Sequence, residues 1–141
     1  MNRTKRRNFA KLGLERAKDW LQGAKRAVED DRWNDVVYSS QMAVEQSVKA
    51  VLFVLGVDYP KEHDVSDVFL KVVSEKKLPP WFKDQSPLIA DVIAELAEQR
   101  GLAGYGFELG VGRRYFKDYA PEALQKAELV LRACEKLFEE L

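Results

Sequence analysis

Arg100 is the residue whose type and setting point most directly to chemistry. It lies in AEQRGLAGYGFELGVGRRYF, residues 97–116, in phase with Ile89, Val92, Ile93, Leu96 and Ala97 on the apolar stripe of a helix predicted to stop at Gly101. A guanidinium there buries its stem and aims its head at a groove or a partner subunit. Its fork suits a carboxylate or a phosphate, and near a helix C-terminus it also favours the macrodipole. Tyr105 is expected in a glycine-dense loop, donating its hydroxyl into the same space or anchoring the loop; five of the eight glycines fall between Gly101 and Gly112. These glycines do not form a nucleotide loop, because no Gly-Lys-Ser/Thr follows a strand and no βαβ unit can be read. Arg113, Arg114 and Tyr115 add a phosphate- or RNA-facing edge.

A second polar stripe runs along one side of a predicted helix through Tyr38, Gln41, Glu45 and Lys49. Glu45 four residues before Lys49 is the favourable order for a helix ion pair. If this side faces Arg100, Glu45 is its natural partner; otherwise the stripe is a solvated face. His63 is the only histidine. With Asp64 beside it, it could act as an oriented base or bond backbone at a helix start, a structural role for both residues. No second histidine and no paired metal-ligand spacing is present, so neither a metal nor another cofactor is expected. Nothing resembling a nucleophile elbow supports a Ser-His-Asp triad.

Five helices are expected to position these residues, and no segment reads as a strand. The first spans about 8–29 with Phe9, Leu12, Trp20, Ala24, Ala27 and Val28 on one face. The second, about 32–55, is apolar on most sides towards its end and is therefore central; Gly56 ends it in a left-handed position. A third, short helix starts near Asp64 as N-cap. LPPWF at 78–82 reads as a break, and the fourth helix starts with Ser86 as N-cap and Pro87 at its first position. The fifth begins near Pro121, with 3–4 spacing through Leu124, Ala127, Leu131, Cys134, Phe138 and Leu141. The fold expected is all-α, an antiparallel bundle with a four-helix up-and-down core and one short extra helix.

The chain of 141 residues, 46% hydrophobic and 33% charged, fits one globular domain with a single core. No apolar run approaches the ~20 residues that span a bilayer, and the basic start lacks the apolar region of a secretory signal. A cytoplasmic location is expected, with no membrane partner. The single cysteine excludes an intrachain disulfide. Formal net charge is zero, which argues against a non-specific nucleic-acid coat. Nevertheless Arg3, Lys5, Arg6, Arg7, Lys11 and Arg16 meet only Glu15 near the start, so residues 1–8 are set apart as a basic end, solvated or partly disordered, before a domain at 9–141.

SSQMAVEQSVKAVLFVLG at 39–56 resembles the second helix of HEPN (higher eukaryotes and prokaryotes nucleotide-binding) domains. KEHDVSDVF at 61–69 is similar to their His-Asp helix start, and the Arg100–Tyr105 stretch, YF and the Ala-rich last helix are similar to their C-terminal half. The resemblance runs from about residue 9 to 141. It implies a dimerising helical bundle acting beside a minimal nucleotidyltransferase as a toxin–antitoxin pair. Many members are metal-independent RNases using an arginine followed, after four to six residues, by a histidine. Arg100 matches that arginine, whereas Tyr105, Gly106 and Phe107 occupy the histidine's place. Imidazole titrates near neutrality and a phenol near ~10, so the resemblance implies a domain that binds nucleotide or RNA rather than one that cuts. An active endoribonuclease toxin, with Tyr105 or His63 supplying the acid–base group, is the alternative; a dimeric helical interaction module is the third reading.

Overall fold

In the computed structural model, which describes residues 1–141, the chain forms five α-helices and two single-turn 3₁₀ helices: α1 Arg3–Glu29, α2 Trp33–Val54, α3 Ser66–Glu75, α4 Pro80–Tyr105, 3₁₀ turns at Gly106–Leu109 and Arg113–Phe116, and α5 Ala120–Glu140. α2 is the central element, packed against α1, α4 and α5, while the short α3 covers α4. This is the expected all-α bundle. No helix is long and apolar enough to cross a membrane.

α1 starts at Arg3, capped by the Asn2 side chain, which accepts from the Lys5 amide at 2.8 Å. Most of the basic end is therefore helical. Arg7 donates to the Phe138 and Leu141 carbonyls at 3.2 and 3.1 Å, tying α1 to the end of α5. The buried face of α1 is Ala10, Leu14, Ala17, Leu21, Ala24 and Ala27; the expected stripe holds at Ala24 and Ala27, with Trp20 and Val28 partly buried at its edge, and departs from that face in the first turns. Phe9 and Leu12 are 45% and 62% exposed. Small residues win the interface because they let α1 and α2 approach closely: a Cβ on Gly13 would lie 3.2 Å from that of Ala50.

α2 follows the reading closely and buries Val36, Val37, Val44, Val48, Val51 and Leu52. It ends at Gly56 with φ +77°, and the Val57 amide bonds back to the Leu52 carbonyl at 3.0 Å. α3 begins two residues after the expected cap. Asp64 nevertheless serves that end, accepting from the amide and hydroxyl of Ser66 at 2.9 and 2.6 Å.

α4 departs most from expectation at both ends. Its first residue is Pro80, and LPPWF is the helix start rather than a break. Trp81 and Phe82 pack edge-to-face there, with Phe82 fully buried. Pro87 lies inside the helix and cannot donate to the Lys83 carbonyl; the Ser86 hydroxyl donates to that carbonyl instead, at 2.7 Å. Ser86–Pro87 is an internal splice, not a cap. The helix also runs through Gly101 to Tyr105, carried by burial of Ala103 and partial burial of Leu102 against the core. The stretch read as a loop is mostly helical turns, and of its glycines only Gly110 adopts positive φ, at +77°.

α5 buries Ala127, Leu131, Cys134 and Phe138 as the 3–4 spacing predicts. Burial pushes the Cys134 thiol up to about 12, so this is a packing cysteine and not a nucleophile.

Candidate functional site

α2 and α4 meet along the polar stripe, and the side chains join into one hydrogen-bonded line. Arg100 Nε donates to Gln41 Oε1 at 3.0 Å, and an Nη of Arg100 donates to the Tyr38 hydroxyl at 2.7 Å. The guanidinium carbon lies 4.7 Å from the centre of the Tyr38 ring. Gln41 turns its amide the other way and donates to Glu45 Oε1 at 2.8 Å. Lys49 donates to Glu45 Oε2 at 2.9 Å, and His63 Nδ1 lies 2.8 Å from Glu45 Oε1. Four-residue spacing on α2 makes this line: Gln41, Glu45 and Lys49 are successive turns of one face.

Glu45 is only 7% exposed. Burial alone would push its carboxyl up; the hydrogen bonds from Gln41, Lys49 and His63, with the attraction of the Lys49 ammonium, outweigh it and hold the group below the usual carboxylate range. An ionised carboxylate only accepts, so His63 Nδ1 carries a proton and donates. In the neutral imidazole this leaves Nε2 with its lone pair on a ring whose side chain is 52% exposed.

Arg100 is different. The expected ion pair with Glu45 does not form, because Gln41 stands between the two. Arg100 makes no salt bridge to any carboxylate; its partners are the amide oxygen of Gln41, the phenol of Tyr38 and, at 3.7 Å, the sulfur of Met42. Neutral acceptors and a ring face fix its orientation and leave the charge uncompensated. Gly104, one turn after Arg100, lets this happen: a Cβ there would lie 3.3 Å from the Tyr38 ring. Met42 lies four residues from Tyr38 and so on the same side of α2, a partner that the polar stripe alone does not mark.

Other expected site residues lie elsewhere. Because α4 continues past Gly101, Tyr105 is rotated about 140° from Arg100 around the helix; it is 62% exposed and makes no hydrogen bond to the Arg100 line. Arg113 and Arg114 are on the second 3₁₀ turn, where with Asp31, Trp33 and Lys117 they line a separate groove of about 330 Å³. Asp64 serves the start of α3, and it is Glu45, not Asp64, that orients His63. No three His, Cys, Asp or Glu side chains converge as metal ligands would.

The model of the family described as HEPN domain matches residues 10–137. The chain belongs to the HEPN family. A relative from Methanocaldococcus jannaschii, named "Putative toxin MJ1304", is 33% identical over 137 residues, covering 94% of this chain and 90% of the relative. The crystal structure of an HEPN domain protein from Thermotoga maritima is similar to this HEPN domain with a TM-score of 0.62 at 25% identity, covering 92% of this chain and 98% of the other.

Proposed function

We propose that this HEPN domain is a homodimeric nucleotide- or RNA-binding component of a toxin–antitoxin pair. It takes a phosphate at Arg100 and works beside a minimal nucleotidyltransferase. The observation that carries the reading is the Arg100 guanidinium, oriented by Gln41 and Tyr38 with no carboxylate against it. A fixed, unneutralised guanidinium binds a phosphate oxygen pair without first breaking an ion pair. The name of the Methanocaldococcus relative supports the toxin side of the pair. Tyr105, Phe107, Leu109 and Tyr115 are 62–78% exposed within one short segment beside the end of α4, and a second copy covering that apolar surface supports the dimer.

The Glu45–His63 pair favours a second reading, metal-independent RNA cleavage. In it, His63 Nε2 takes the proton of a ribose 2′-hydroxyl, the 2′-oxygen attacks the adjacent phosphorus, and the 5′-oxygen leaves with a proton from water or from the protonated imidazole. Arg100 would neutralise charge on the phosphate. Gln41 separates the two groups along α2, which is why binding is placed first.

Light scattering is expected to give twice 16.2 kDa, and a labelled single-stranded RNA is expected to bind and remain intact over hours in EDTA. EDTA-resistant cleavage lost in both Arg100→Ala and His63→Ala would install the second reading. A monomeric mass at every concentration would remove the dimer.

A further inference from the structure

The basic start of the chain is not used by the Arg100 site, and helix α1 gives it an unusual setting. Arg7 is consumed in holding the end of α5, and Arg6 gives one Nη to the Phe53 carbonyl at 3.2 Å; Lys5 and Arg6 both lie over aromatic rings. Lys5 Nζ is 5.9 Å from the centre of the Phe9 ring, and the Arg6 guanidinium is 5.3 Å from that of Phe53. The Phe9 and Phe53 rings stack on one another at 6.1 Å and 20°. Farther along the α1–α2 seam, Arg16 lies 4.9 Å from the Trp20 ring and Lys49 lies 5.5 Å from the Tyr59 ring.

Between these pairs the seam opens into a groove of about 390 Å³, with Phe9 and Arg16 on the α1 wall, Lys49 and Phe53 on the α2 wall, and Tyr59 closing it from the following loop. The close approach of Gly13 to Ala50 forms its floor. The carboxylate in its lining is Glu45, already engaged by Gln41, Lys49 and His63. Arg16 meets Asp19 only at 3.9 Å, with both side chains more than half exposed.

Flat π faces interleaved with cations are what an unpaired base and its flanking phosphates require. A lipid surface would be met by protruding apolar side chains, and here the rings line a concave groove. Continuity with the Arg100 site comes through α2. Lys49 borders the groove and Gln41 holds Arg100, and the eight-residue step from one to the other rises ~12 Å, a distance a few nucleotides of single strand can follow.

We propose that the Phe9–Phe53–Tyr59 groove is a stacking subsite for a base of single-stranded RNA, with Lys5 and Arg16 taking the phosphates beside it. The proposal rests on the reading of Arg100 as the phosphate site of the same ligand.

The test compares hexa-adenylate RNA with an abasic ribose-phosphate hexamer of equal charge. Affinities for wild type, Phe9→Ala and Arg100→Ala are read by fluorescence anisotropy, with circular dichroism verifying each fold. Phe9 is half-exposed, so its removal leaves the core intact. Phe9→Ala is expected to weaken hexa-adenylate about tenfold and to leave the abasic hexamer unchanged. Unchanged or equal effects on both ligands would overturn the subsite; if Arg100→Ala still weakens both, the Arg100 reading stands without it. Conversely, a base-dependent loss in Phe9→Ala beside an unaffected Arg100→Ala would keep the subsite and remove the Arg100 reading. Binding to phosphatidylserine vesicles with none to either hexamer would assign the cations to a lipid surface and overturn the proposal.

Discussion

Replacing Glu45 by alanine is expected to cost about 2 kcal/mol of stability, read as a fall in Tm of about 6 °C. The carboxylate accepts from Gln41, Lys49 and His63 at once. Removing one partner of a buried charged pair costs ~3–5 kcal/mol when the other stays buried. The figure here is smaller because His63 is half-exposed and Lys49 retains some access to water, leaving the 2%-exposed Gln41 as the main orphan. The pH dependence has a definite sign. The folded Glu45 carboxyl is held below its unfolded value, so its contribution is fully present above the unfolded carboxyl pKa of ~4.3 and is lost as pH falls through the lower, folded value. The gap between wild type and variant therefore narrows below about pH 4. A gap that widens in acid, or a Tm within about 1 °C of wild type at neutral pH, would contradict the account of Glu45 as the junction of the line.

Phe116→Ala is expected to be more damaging still, at about 3 kcal/mol and a Tm loss of about 10 °C. Phe116 is 1% exposed and comes from a 3₁₀ turn packed against α2. Between Gly106 and Asp118 the other core contact is the partly buried Val111, with Tyr119 fixing the far end by donating its hydroxyl to Glu95 at 2.6 Å; Phe107, Leu109 and Tyr115 are exposed. Its neighbour Tyr115 packs edge-to-face on Phe116 at 5.0 Å, so the loss would also release the exposed aromatic surface assigned to the dimer. Hydrogen exchange should show the amides of residues 106–118 opening before the helices. A loss below about 1 kcal/mol would mean that the connection is anchored elsewhere.

What could be read from the chain divides along physical lines. α2 and α5 were legible because their apolar residues recur at helical spacing and tertiary packing agrees with that spacing. α1 was legible in its second half, where Ala24 and Ala27 are buried as expected, and not in its first, where the large Phe9 and Leu12 drew the stripe but Ala10, Gly13 and Ala17 make the close contact. At α4, local signals competed. Ser86–Pro87 is a strong start sequence, but Pro80 starts the helix first, and the Ser86 hydroxyl repairs the bond that Pro87 cannot make. Gly101 is a good stop that burial of Ala103 overrides, and this moved Tyr105 off the face that Arg100 shares.

The candidate site shows the same division. Gln41, Glu45 and Lys49 were legible as one stripe because they belong to one helix. That His63 reaches Glu45 depends on the path of the chain between α2 and α3, and that Gln41 rather than Glu45 meets Arg100 depends on the axial offset of two packed helices. Neither quantity is written in local periodicity.

The proposed phosphate site at Arg100 is tested most directly by the affinity of one short single-stranded RNA for wild type, Arg100→Lys and Arg100→Ala, measured alongside their Tm values. Arg100→Ala is expected to weaken binding at least tenfold, corresponding to loss of a charge-assisted hydrogen bond, with Arg100→Lys between the two. The accompanying fall in Tm is expected to be no more than about 4 °C, because Gln41 loses one partner while the guanidinium itself had no ion pair to break. Unchanged affinity in Arg100→Ala, together with a large fall in Tm, would make Arg100 a structural cation and contradict the account.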